Sequence, residues 1–170
     1  MIKKICSVLS TCLLIALALV AAVLIVPKFL GYTQYAVLSG SMEPKIKVGS
    51  IVYTKTTDIA DLETGDIITY KLAGDTMVTH RIVLVNDAEQ TVITKGDANE
   101  TEDAAPVAFD SIQGAYAFHV PLLGYISIYG KTPLGIAGIC GILVVVILLN
   151  FLPDAFSDEE DEKKQEVEQN

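Results

Sequence analysis

The sequence has no tryptophan, and only three cysteines and two histidines in 170 residues. Cys6, Cys12 and Cys140 all lie in or beside long apolar runs, and the stretch between those runs has none. A disulfide-stapled domain and a cysteine-based zinc site are thereby excluded there. Positive charge is also scarce: 12 Lys and Arg stand against 21 Asp and Glu, a formal net charge of −9. Between residues 28 and 133, 8 basic residues face 13 acidic ones without forming a cluster, which argues against nucleic acid as a partner. No internal repeat is present. Apolar side chains are what the chain has in quantity. Ile5–Val26 is broken only by Ser7, Ser10 and Thr11, and residues 134–152 hold one polar side chain, Asn150. Each run is long enough to cross a hydrocarbon layer of ~30 Å at a rise of ~1.5 Å per residue. A soluble cytosolic protein is excluded.

These runs divide the chain into an N-terminal transmembrane helix (1–27), a middle domain (28–133), a second transmembrane helix (134–152) and an acidic tail (153–170). The first run follows Lys3 and Lys4 and contains Ala16-Leu17-Ala18, as a cleaved leader would. It continues to Val26, too long for the apolar segment of a leader, so a retained helix is expected. The tail, with Ser157-Asp158-Glu159-Glu160-Asp161-Glu162, reads as solvated and disordered. Lys3, Lys4, Lys163 and Lys164 would lie inside, but Lys28, Lys45, Lys47 and Lys131 lie near the outer helix ends. The positive-inside count is a tie, and orientation has to come from the chemistry.

The middle domain is expected to be mainly β. Ser50–Thr54, Asp66–Tyr70, Met77–Val85 and Thr91–Thr94 are short β-branched runs separated by turn signals such as Glu63-Thr64-Gly65 and Lys95-Gly96-Asp97. No useful helical period occurs between Tyr35 and Tyr129. The spacing predicts a small barrel or folded sheet held between the two membrane helices.

Three segments there could carry chemistry. Ser39-Gly40-Ser41-Met42-Glu43-Pro44 is a turn that can expose the Ser41 hydroxyl and turn a backbone N–H outward, as a nucleophile and an oxyanion donor require. By itself Ser-Gly-Ser is usually only a turn. In Thr79-His80-Arg81-Ile82-Val83, strand alternation puts His80 on a face with Val78, Ile82 and Leu84, where burial favours the neutral imidazole that a general base must be. A lone buried histidine is, however, more often structural. His119, with no serine motif or acid beside it, is read as structural. Lys95–Asp103 spaces its polar residues like a calcium loop, but Glu102 stands where glycine is required and Ala108 where the bidentate glutamate is required, so calcium is rejected. Asn99-Glu100-Thr101 is a formal glycosylation sequon of low specificity. What remains is a turn with two aspartates, one of which could orient a histidine.

In this order, and flanked by these helices, the segments resemble signal peptidase I of the endoplasmic-reticulum type, the branch of archaea, eukaryotic signal peptidase complexes and some spore-forming Gram-positive bacteria. The resemblance covers Tyr35 to about Tyr129 and rests on Leu38–Pro44, Gly65-Asp66-Ile67-Ile68, Thr79–Val83 and Lys95–Asn99. It implies a membrane-bound serine endopeptidase that removes signal peptides from preproteins emerging from the translocation machinery, at the extracytoplasmic surface of a multi-pass cell-membrane protein. Ser41 matches the nucleophile, and His80 stands where the other bacterial branch has a lysine base. Asp97 and Asp103 match the acids, Asp103 being favoured as the partner of His80 with Asp97 supporting it or also required. Ser39 and the backbone N–H of Ser41 match the oxyanion donors. Neither metal nor cofactor is expected; the lipid bilayer and the signal peptide are the expected partners.

Residue chemistry and resemblance agree, since a nucleophile fifteen residues from a membrane helix can meet a cleavage site at the bilayer surface. The competing class is a non-catalytic membrane-anchored β-domain serving as a binding module or complex subunit. A sortase is excluded by the missing cysteine, and a Ser/Lys peptidase would make His80 dispensable.

Overall fold

The structure, a computed structural model, describes residues 2–168. It divides into two compact units, one built from the two long helices and the other from Val26–Gly130. Helix α1 (Ile2–Phe29) ends where Gly31 takes a left-handed φ of 82°, which a residue without Cβ adopts freely. Helix α3 (Pro133–Glu168) starts with proline in its first turn, and the Thr132 hydroxyl accepts the Gly135 N–H at 3.1 Å as an N-cap. Lys4–Phe29 and Pro133–Phe151 are each long and apolar enough to cross a membrane. Within this unit the Asn150 amide donates to the Ser10 hydroxyl at 2.5 Å and to the Val146 carbonyl at 2.8 Å. Ser10 is almost completely buried.

The backbone of α3 stays helical through the acidic segment to Glu168. Helix initiation is the costly step, and the apolar part of α3 has already taken it. Glu, Lys and Gln then propagate a helix at little cost.

The Val26–Gly130 unit is a seven-stranded sheet with every neighbouring pair antiparallel, in the order β1-β2-β7-β3-β4-β5-β6. The strands are β1 (Tyr32–Ala36), β2 (Ile51–Lys55), β3 (Ile67–Lys71), β4 (Met77–Asn86), β5 (Thr91–Lys95), β6 (Val107–Ala108) and β7 (Ile112–Val120). β1 and β6 end the order, so the sheet is folded but not closed. Bulges between Tyr53 and Thr54, Thr69 and Tyr70, and Ile82 and Leu84 bend it. One face buries Leu62, Ile68, Tyr70, Ile82, Val92 and Val107; a second cluster holds Met42, Ile46, Val52 and Ile67.

β2 to β5 coincide with the four strands expected from the sequence. β1, β6, β7 and the short helix α2 (Leu123–Tyr129) were not expected. The expected facing of β4 also fails beyond Ile82. The bulge turns Leu84 out to solvent and brings Val85 onto the core.

Candidate active site

Ser41 sits in the connection between β1 and β2. Its turn is closed by the Glu43 N–H donating to the Gly40 carbonyl at 3.0 Å and the Ile46 N–H donating to the Met42 carbonyl at 2.8 Å. Met42 and Ile46 are fully buried, and Val37 is tied to Ser50 and Gly49 by two backbone bonds at 2.9 Å. Apolar anchors thus hold a polar turn rigidly, which positions a nucleophile better than a free loop does. The Ser39 and Ser41 hydroxyl oxygens are 3.4 Å apart. Ser39, Ser41 and His80 line one cleft of about 570 Å³, with Val37, Leu38 and Met77 among its apolar walls. Among the described contacts the Ser41 hydroxyl is paired with Ser39.

His80 is buried in β4, opposite Ile68 of β3. Its Nδ1 lies 2.6 Å from Asp103 Oδ2. With the proton on Nδ1 and donated to the carboxylate, Nε2 is the basic nitrogen. Asp103 reaches this position because its backbone N–H donates to the Thr94 carbonyl at 2.8 Å, which folds the loop back along β5. The Thr94 hydroxyl donates to the same Oδ2 at 2.6 Å, and the Tyr70 hydroxyl does so at 3.2 Å. Burial pushes the Asp103 carboxyl upward, but the bonds from Thr94 and His80, the His80 charge and the Tyr70 bond outweigh it. The carboxyl is held below its ordinary value. Burial pushes the Tyr70 phenol up to about 12; the bond from Thr94 opposes this, and the neighbouring Asp103 carboxylate adds to it.

The structure brings together His80 and Asp103, and places Ser41 and Ser39 on the cleft that His80 also lines. Asp97 lies elsewhere. Its carboxylate is gripped from two sides by Arg81, Nε to Oδ1 at 2.8 Å and a terminal nitrogen to Oδ2 at 2.7 Å. Arg81 also donates to the Gly65 carbonyl at 2.7 Å. Beside Asp97, the Ala98 N–H donates to the Ser41 carbonyl at 2.8 Å, so the Asp97 loop buttresses the Ser41 turn. His119 bonds the Tyr116 hydroxyl at 2.8 Å on β7.

Sequence reasoning missed Tyr70, Thr94 and Arg81. Alternation along β3 and β5 puts Tyr70 with Ile68 and Thr94 with Val92, but convergence on Asp103 requires knowing that β3, β4 and β5 are neighbours. Among the described residues no group of three His, Cys, Asp or Glu side chains is arranged to hold a metal. The arrangement offers a serine hydroxyl and a carboxylate-backed imidazole on the walls of one cleft.

No protein-family model matches the chain. It is 41% identical over 99 residues to signal peptidase I W of Bacillus subtilis, covering 56% of this chain and 52% of that protein. It is 32% identical over 125 residues to the signal peptidase complex catalytic subunit SEC11 of Colletotrichum graminicola, covering 65% of this chain and 73% of that subunit. SEC11 of Pyricularia oryzae is 32% identical over 127 residues, with the same coverage. The chain thus spans about half the length of the bacterial relative and nearly three quarters of the fungal ones. With the β-domain between two apolar helices and the Ser, His and Asp motifs in this order, the chain belongs to the signal peptidase I family, in its endoplasmic-reticulum-type branch.

Proposed function

We propose that the chain is a membrane-bound serine endopeptidase that cuts signal peptides from exported preproteins. The observation that carries this reading is the 2.6 Å pairing of His80 with Asp103 at a cleft shared with Ser41. In the proposed reaction the Ser41 hydroxyl oxygen attacks the scissile carbonyl carbon while His80 Nε2 takes its proton. The peptide C–N bond then breaks, and His80 returns the proton to the leaving amine. A water molecule, deprotonated by His80, hydrolyses the Ser41 ester. Asp103 fixes the imidazole tautomer and stabilises its cation. The Ser41 N–H and Ser39 hydroxyl face the developing oxyanion, where one donor is typically worth about 3 kcal/mol.

The proposed setting is a cell membrane crossed twice, with the β-domain on the outer side, where signal peptides emerge from the translocation machinery. Two apolar helices support the crossings. Cleavage after translocation supports the direction. Co-expression with a preprotein, read as a size shift, tests the activity. Ser41→Ala should accumulate in the membrane and leave the preprotein uncut, because only a hydroxyl is removed from an anchored turn. Processing by that variant would overturn the serine-peptidase reading.

A further inference from the structure

Three donors converge on one oxygen. His80, Thr94 and Tyr70 all bond Asp103 Oδ2, and the strand register explains how. Ile68 of β3 is opposite His80 of β4, which leaves Tyr70 on the diagonal of the same face. Ile82 of β4 is opposite Thr94 of β5, which puts Thr94 on the other diagonal. The Tyr70 ring also meets the His80 ring edge-on, with centroids 6.5 Å apart.

Both hydroxyls are buried, Tyr70 at 2% exposure and Thr94 at 0%, among Ile68, Ile82 and Val92. For packing alone, phenylalanine and valine would fill the same space without a polar group to satisfy. Thr94 has a single hydroxyl proton, and the 2.6 Å contact with the carboxylate takes it. The Tyr70 hydroxyl lies 3.2 Å from both the carboxylate and the Thr94 oxygen and closes the triangle.

We propose that Thr94 and Tyr70 are positioning residues for catalysis, which lock the Asp103 carboxylate in the orientation and charge state that serve His80. The inference rests on the reading of His80 and Asp103 as base and orienting acid. Asp103 lies on a connection between β5 and β6, where an aspartate held only by its imidazole could rotate away. Two further donors fix it from the sheet beneath, and charge-assisted bonds of this kind are the strong ones. They also oppose the tendency of burial to neutralise the carboxyl.

The test uses the full chain in detergent micelles with a purified preprotein, measuring kcat and KM across pH for Thr94→Val, Thr94→Ser, Tyr70→Phe and Asp103→Asn. Thr94→Val should lower kcat by about tenfold to a hundredfold with KM within about twofold of wild type. The acid limb of its rate profile should move to higher pH, because a carboxylate stripped of a donor takes up a proton more readily. Thr94→Ser should recover most of the rate. Tyr70→Phe should shift the profile in the same direction by less. A wild-type kcat and acid limb in Thr94→Val would overturn the proposal. Equal losses in the Val and Ser variants with an unmoved limb would overturn it too, assigning Thr94 to packing. Tyr70→Phe keeps its ring in place, and an unshifted limb there also counts against the proposal. Full activity in Asp103→Asn would instead remove the underlying reading of base and acid. An inactive Asp103→Asn beside a fully active Thr94→Val defeats the positioning roles alone.

Discussion

The two aspartates of one short loop have different partners, and the difference predicts different phenotypes. Asp103 spends its carboxylate on the imidazole, Thr94 and Tyr70; Asp97 spends its own on Arg81. Asp103→Ala should therefore lose nearly all processing, and it should also lower the thermal midpoint because the buried Thr94 and Tyr70 hydroxyls lose their acceptor. Asp97→Ala strands a partly exposed guanidinium and should cost about 2 kcal/mol of stability, with a smaller loss of rate at matched protein levels. Initial rates and unfolding midpoints measured together decide it. An inactive but stable Asp97→Ala beside a nearly normal Asp103→Ala would exchange the roles. Acid provides a second handle on Asp103. Its carboxyl lies below the ordinary value of 3.8 in the folded chain, so its contribution to stability is complete above that value and is lost as the pH falls through the lower folded one. Wild type should then destabilise more steeply below about pH 4 than Asp103→Asn does. Tyrosine circular dichroism in the near ultraviolet reads this, since the chain has no tryptophan. Parallel acid limbs in the two proteins would contradict the favoured charge on Asp103.

At the scale of elements, the loop after β5 braces the Ser41 turn. A Cβ at Gly96 would lie 2.7 Å from the Ser41 carbonyl oxygen and 2.8 Å from the Asn99 amide nitrogen. Gly96→Ala must therefore push the loop off the turn and loosen the Ala98 bond to Ser41. Its expected effect is a fall in kcat of about tenfold or more, since misplacing a reacting group by ~1 Å can cost a hundredfold. Preprotein binding should change less, and single-turnover rates of cleavage check this. Such bracing was not legible in the sequence, whereas the strands that carry the site largely were. Val, Ile and Thr alternating between glycine-marked turns gave β2 to β5. β7 was hidden by its own composition: Gly114, Ala115 and Ala117 weaken the strand signal. Yet Gly114 is there because a Cβ would come within 2.5 Å of the Lys55 carbonyl, where β7 passes β2. The bulge after Ile82 has no signature in a run of β-branched residues, so the facing of Leu84 was misread. Ser41, His80 and Asp103 stood out as residue types in motifs. That Asp97 faces Arg81 depends on a loop fold that only the register of β4 and β5 determines.

For the whole molecule, the polar clasp within the helical unit bears on topology. Ser10 lies toward the N-terminal end of the first apolar span, and Asn150 lies near the C-terminal end of the second. Their 2.5 Å contact brings those two ends together within the helical unit. An amide in hydrocarbon is costly without a partner, and model studies put such interhelical bonds at about 1 kcal/mol, enough to favour one pairing over its neighbours. The proposed double crossing would put the two termini on one side of the membrane and residues 26–130 on the other. The lysine count is tied and gives no direction. The proposed function supplies one: a signal peptide is cut after translocation, which favours an outward-facing β-domain. A reporter fused after Val120 should then be active only outside the cytosol, and one fused after Asn170 only inside. Protease added to sealed cells should leave the acidic C-terminal segment intact. Its digestion there would contradict the second crossing or its direction, and an inactive external reporter at Val120 would contradict the first.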